Sequence, residues 1–235
     1  MITLLTYPTA FNQPASSPFC VKAMYLLALS GVPWEREDHS DPRNFPMGKL
    51  PAIRDAGRVI GDSDAIRAHL AEQGADVDAH LNDLEQADAR ALTRMAEEHL
   101  YFHLVLDRWG DDAVWPTIRE TYFAPIPKLV RGFVTRGLRK QALSGLHFTG
   151  LARLDPDQRM DRVEQDLSVL TVRLWQGPFL IGQRPCSADA SVAAILSAMA
   201  ATPVATRLSR RIAKDDVLMS YCDRVASACG AIPSA

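Results

Sequence analysis

Two adjacent serines, Ser16 and Ser17, stand directly before Pro18 and a run of helical periodicity. Serine then proline marks a helix start: the hydroxyl suits a cap, and proline fits the first helical position. That end also carries the positive pole of the helix dipole and unpaired backbone N–H groups, so it can hold an anion. Asp62 and Ser63 repeat the arrangement ahead of a second amphipathic segment. The four cysteines, Cys20, Cys186, Cys222 and Cys229, form no C-x-x-C pair, which argues against a dithiol redox site or a zinc ribbon. His99, His103 and Asp107 follow one another every four residues, a workable metal-ligand spacing on one helix face. No glutamate follows His99 in the H-E-x-x-H manner, so interhelical hydrogen bonding is the expectation and no metal is expected.

These side chains need elements to position them. Residues 2–6 form a short β-rich run ended by Pro8. After a Pro, Ala, Asn and Ser stretch, residues 19–29 carry apolar side chains at three-to-four spacing, and Gly31 stops the helix. Residues 33–38 read as a second strand, and 50–55 with 58–61 as a hairpin around Ala56-Gly57. An amphipathic helix over 62–73 closes a first domain at residues 1–75. Residues 75–83 are a polar linker. Beyond it every sizeable segment reads helical: 84–109 as one long helix, then 127–146, 156–176, a nearly all-apolar 187–201, and 215–229. Strands first and helices afterwards predict a two-domain α+β protein, with an all-helical domain over residues 84–235.

The bulk properties narrow the classes. The chain has 235 residues, 47% hydrophobic and 23% charged, an ordinary globular composition. A formal net charge of −2 gives no pull toward nucleic acid or an anionic membrane, and neither is an expected partner. The apolar stretch around 188–201 is too short and too polar to span a bilayer, and residues 226–235 offer no tail anchor. The first residues run straight into a strand-like segment with no basic leader, so a reducing cytoplasm is the expected home.

The order of motifs resembles a known family. Ser17-Pro18-Phe19-Cys20-Val21-Lys22, followed by Gly31-Val32-Pro33-Trp34-Glu35, resembles the first β-α-β of cytosolic glutathione transferases. Gly48-Lys49-Leu50-Pro51-Ala52-Ile53 resembles their cis-proline loop, and Gly61-Asp62-Ser63-Asp64-Ala65-Ile66 their acidic-Ser pair. Pro178-Phe179-Leu180-Ile181-Gly182 and Pro185-Cys186-Ser187-Ala188-Asp189 are similar to the start of their buried helix. Residues 94–101 with 107–109, 150–153 and 221–224 resemble the failed-axon-connections and metaxin branch. Each motif alone is weak; the ordered combination covers almost the whole chain. Two positions depart from the pattern. Cys186 stands where the family has a capping Ser or Thr, so Ser187 is a substitute cap, and the stretch 8–16 is long.

The resemblance implies a thioredoxin-like N-terminal domain with a mixed four-stranded sheet, glutathione as co-substrate, and a homodimer. It implies a transferase that conjugates or reduces small electrophiles in detoxification. The alternative is a non-catalytic interaction protein of metaxin type. The nucleophile would be the glutathione thiolate. Lowering a thiol pKa from about 8.5 by about two units takes roughly 2.7 kcal/mol. A hydrogen bond to the charged sulfur supplies about 1.5–3 kcal/mol, and a helix N-terminus about 0.3–1 kcal/mol. Ser17 aligns with the activating residue, with Tyr7 and Ser16 as alternatives. Cys20 occupies the resolving-cysteine position of redox relatives and reads as a buried helix residue; a thiol reductase working through it is a third reading. Leu50, beside a cis Pro51, would pair with the cysteinyl unit as an added strand. Asp62 and Ser63 would hold the γ-glutamyl end, and Lys49 the glycyl carboxylate. Tyr101, Trp109 and Trp115 are candidate walls of a second-substrate pocket, as are Phe102, Tyr122 and Phe123, with Arg108 as an anion contact.

Overall fold

The computed structural model describes residues 1–233, so the last two residues assigned to the helical domain lie outside it. Strand β1 (Ile2–Thr6) is apolar enough to be buried along its whole length. Helix α1 (Pro18–Ser30) follows and ends at Gly31, whose φ of 71° is the left-handed conformation a helix terminus of this kind requires. Strand β2 (Trp34–Asp38) returns parallel to β1, and β3 (Ala52–Asp55) and β4 (Arg58–Gly61) add antiparallel strands. The sheet order is β2-β1-β3-β4. This is the thioredoxin-like arrangement expected, completed by α2 (Ser63–Glu72).

The single helix expected over 84–109 is α3 (Asp83–Met95), a π turn (Ala96–Leu100) and α4 (Tyr101–Gly110) in continuous succession. The extra residue of a π turn shifts which side chains face inward. Here it carries the buried Glu97 to the Lys22 ammonium at 2.6 Å and to the Ser191 hydroxyl.

Helix α5 (Trp115–Tyr122) was not anticipated, because its eight residues are too few to show a period. It is followed by α6 (Lys128–Phe148), α7 (Pro156–Leu174), the buried α8 (Ser187–Ala200), α9 (Arg207–Ala213) and α10 (Asp216–Cys229). Helix α9 lies in a segment for which the sequence showed no helix; a capping box at Thr206 starts it, and Leu208 and Ile212 bury its inner face.

One apolar core joins the two parts. Met24 and Leu27 of α1 belong to the same buried cluster as Val192 and Ile195 of α8 and Val225 of α10. The start of α8 is held by Asp189, which accepts from the Leu180 and Cys186 N–H groups at 2.9 Å and from the Tyr221 hydroxyl at 3.0 Å. Ser187 does not substitute as the cap. Its N–H and hydroxyl donate to Asp78 at 2.8 and 2.6 Å, tying the polar linker to α8. Helix α6 turns Arg131 and Arg139 inward but leaves Leu129 99% and Phe133 82% exposed, with Val130, Val134 and Leu138 beside them.

Candidate active site

The β1–β3 register opposes Leu5 to Ala52, which brings Tyr7, just past β1, to the same sheet end as Pro51. The Leu50–Pro51 peptide is cis, and Leu50 sits just outside the ladder, which begins at Ala52. The Pro51 carbonyl accepts from the Asp62 N–H at 3.2 Å, so the proline loop and the start of α2 are joined directly. The N-termini of α1 and α2 therefore open toward one end of the sheet, where both dipoles favour an anion.

Ser17 is the N-cap of α1, with φ −106° and ψ 130°, but its side chain makes no capping bond. Its carbonyl takes the Cys20 and Val21 N–H groups instead, at 3.1 and 3.2 Å. Asp62 behaves differently: its Oδ1 accepts from the Asp64 and Ala65 N–H groups at 2.9 and 3.2 Å, a true side-chain cap. Ser63 begins α2 and is buried, while Asp62 and Lys49 are exposed. The loop before Lys49 is pressed against the sheet at Gly61: a Cβ there would stand 2.6 Å from the Pro46 Cβ.

The other sulfur and phenol groups are shielded. Burial pushes the Cys20 thiol up to about 11, with the nearby Thr6 and Ser17 side chains acting in the opposite direction. It is a core thiol with no exposed surface. Burial also raises the Tyr7 phenol, and lifts Tyr101 to about 12. Both stay protonated across the neutral range, so each hydroxyl keeps its proton to donate. Tyr101 stands edge-on to Phe19 of α1, with ring centroids 4.7 Å apart, which places it over the opening of that helix.

Trp109 and Trp115, 5.0 Å apart, pack with Phe123 around Val114 and Ile118 as a second small core. Trp115 is buried, with the Arg139 guanidinium 5.3 Å from its ring centroid. Phe102 lies beside Tyr101, 5.9 Å between centroids. Arg108 is buried as well: it donates to the Tyr122 hydroxyl at 2.6 Å, to Thr202 Oγ1 at 3.3 Å and to the Ala198 carbonyl. An interior guanidinium so engaged presents no free donor at the surface. Tyr122 donates in turn to the Ser16 carbonyl at 3.1 Å. The long loop 8–16, whose length looked anomalous, docks here through Phe11, 5.7 Å from the Tyr122 ring. Sequence reading missed this joint between α5 and the serine loop, since no local signal pairs residues more than a hundred positions apart.

His99, His103 and Asp107 go to separate partners. His99 bonds Asp166 through Nδ1, His103 turns edge-on to His99 with its Nε2 unpartnered, and Asp107 accepts from the Thr206 hydroxyl at 2.9 Å.

A glutathione S-transferase N-terminal domain family model matches residues 18–114, and a glutathione S-transferase C-terminal domain model matches residues 163–225. The isoprene-epoxide–glutathione S-transferase of Rhodococcus sp. (strain AD45) is 30% identical over 96% of this chain and 98% of its own length. The chain belongs to the glutathione S-transferase family. It also has metaxin relatives: human metaxin-1 is 26% identical over 85% of this chain, which spans 45% of that longer protein. Among solved structures, glutathione transferases of Phanerochaete chrysosporium and Ceriporiopsis subvermispora, the latter in complex with glutathione, share the fold. Their TM-scores are 0.64 and 0.63, over 99% and 100% of this chain and 98% and 99% of theirs, at 18% and 16% identity.

Proposed function

We propose that this protein is a glutathione transferase whose Ser17 hydroxyl holds the glutathione sulfur as a thiolate for attack on a small electrophile. One observation carries the reading: Ser17 caps α1 with its backbone alone, so its hydroxyl accepts from none of the helix's own N–H groups and has the buried, neutral Cys20 thiol as its neighbour. Leu50 receives the cysteinyl unit as an added strand. The γ-glutamyl carboxylate meets Ser63 and the N-terminus of α2, its ammonium the second oxygen of Asp62, and Lys49 the glycyl carboxylate. Ser16 is the weaker alternative, since its carbonyl and N–H are committed to Tyr122 and Pro8, although its hydroxyl is not.

The named substrate of the Rhodococcus relative makes a small epoxide the first electrophile to try. The thiolate forms an S–C bond, one epoxide C–O bond breaks, and the alkoxide takes a proton. The Tyr101 phenol, protonated throughout the neutral range and near the opening of α1, is the candidate donor, since even a weak phenolic acid is far stronger than the alcohol formed. A homodimer, a cytoplasmic location and a detoxifying role belong to the same reading. Among the described residues no helix is long and apolar enough to cross a membrane.

A second reading, a non-catalytic interaction protein, draws on the exposed apolar face of α6 and the metaxin likeness. Calorimetric titration separates the two. The transferase binds glutathione, and Ser17→Ala keeps that affinity while losing roughly 10- to 100-fold in conjugation, the loss of one hydrogen bond to a charged group. No heat and no thermal shift at millimolar glutathione would leave the interaction protein standing.

A further inference from the structure

Arg108 is an interior cation that hydrogen-bonds no anion. It is 4% exposed, and its three acceptors, Tyr122 Oη, Thr202 Oγ1 and the Ala198 carbonyl, are all neutral. The neighbouring Asp107 carboxyl accepts from Thr206 and offsets Arg108 only through space. A guanidinium placed so gains from a further anion brought within its reach. Its surroundings point toward the serine loop. The guanidinium carbon lies 5.6 Å from the ring centroid of Phe11, within that loop, and Nη1 donates to Tyr122 at 2.6 Å. Tyr122 passes the polarisation on by donating to the Ser16 carbonyl. The other end of that same peptide unit is the Ser17 N–H, at the opening of α1.

We propose that Arg108 and Tyr122 form a positioning relay that polarises the Ser16–Ser17 peptide and makes Arg108 the counter-charge of the glutathione thiolate. The assignment rests on the transferase reading above. Hydrogen bonds in series strengthen one another, so a cation at one end improves the donor at the other. The charge also acts through space in a region where water does not screen it. The other titratable groups at this corner, Tyr7, Cys20, Tyr101 and Tyr122 itself, are all held neutral by burial. Arg36 on β2, Asp41 beyond it, and Asp107 beside Arg108, with Asp111 acting on Asp107, are the further charges felt there. The relay also explains why the loop 8–16 is long: it must reach α5.

The test is the thiol pKa of bound glutathione, read from thiolate absorbance in the ultraviolet as a function of pH. Calorimetry first establishes glutathione binding by the unmodified protein; if it binds none, the transferase reading falls and this proposal with it. Given binding, Arg108→Gln should raise the bound-thiol pKa by about one pH unit. It should lower conjugation at pH 6.5 about tenfold and leave the rate at pH 9 nearly intact. Arg108→Lys, which keeps the charge, should recover most of the thiolate. Tyr122→Phe removes one hydroxyl, spares the fold, and should shift the pKa in the same direction by roughly half as much. A merely structural role would lower rates equally at both pH values. If Tyr122→Phe folds and binds glutathione with an unchanged thiol pKa, the relay is refuted, whether or not Arg108→Gln folds.

Discussion

The Lys22 ammonium and the Glu97 carboxylate meet at 2.6 Å in the interior, joining the first helix of the thioredoxin-like part to the π turn of the helical part. Lys22 is 1% exposed and also reaches Asp64 at 2.9 Å, while Arg90 and Arg94 cover the far oxygen of Asp64. These cations hold the Asp64 carboxyl down to about 2 in spite of its partial burial. Removing one side of such a pair leaves a buried charge uncompensated. Lys22→Met should therefore cost about 3–5 kcal/mol in urea unfolding. The double variant with Glu97→Gln should recover part of that loss, because the orphaned carboxylate is gone.

Asp107 and His103 give acid stability two opposed contributions one helical turn apart. Burial raises Asp107 to about 6, above its unfolded value, so stability from this group grows as pH falls from 6 toward 4. Burial lowers His103 to about 4, with help from His99, Arg159 and Arg162, so stability from this group is lost as pH falls from 6.5 toward 4. Asp107→Asn should stabilise the protein at pH 7.5 by about 1–2 kcal/mol and steepen its loss of Tm on acidification. His103→Phe should do the reverse and flatten that loss. Thermal melts at half-unit steps from pH 4 to 7.5 read both.

Gly61 is where the proline-rich loop closes on the sheet. Gly61→Ala should cost about 1–3 kcal/mol, since the new methyl would meet the Pro46 ring, a rigid neighbour. On the proposed reading it should also weaken glutathione binding more than it slows turnover, because the displaced loop carries Lys49 and Leu50. Chemical denaturation and a KM-against-kcat comparison check the two halves separately.

Asp62 has two duties that substitution can divide. Asp62→Asn keeps an oxygen for the Asp64 and Ala65 N–H groups and should change stability by a few tenths of a kcal/mol, whereas Asp62→Ala should cost about 1 kcal/mol. Both remove the carboxylate offered to the γ-glutamyl ammonium, so both should weaken glutathione affinity. Equal affinity for Asp62→Asn and the parent would take Asp62 out of the site and leave it a cap.

Local chemistry made much of this legible in advance. The short β-rich run of β1, the Ser17-Pro18 start and Gly31 stop of α1, the Ala56-Gly57 turn and the capped start of α2 are short-range signals, and each appears where the residues place it. The cis Leu50-Pro51 bond and the Asp62 cap before Ser63 were legible because each rests on backbone geometry within a few residues. The tertiary structure alone decided what long-range packing decides. Whether Arg108 faces solvent or the interior, whether Trp115 walls a pocket or fills a core, and where the face shifts at Glu97 depend on which helices meet. So does the contact of Tyr122 with Ser16, since its partners are 106 residues apart. A side chain's neighbours along the chain set its conformation, but burial and charge pairing are set by neighbours in space, and only the assembled fold supplies those.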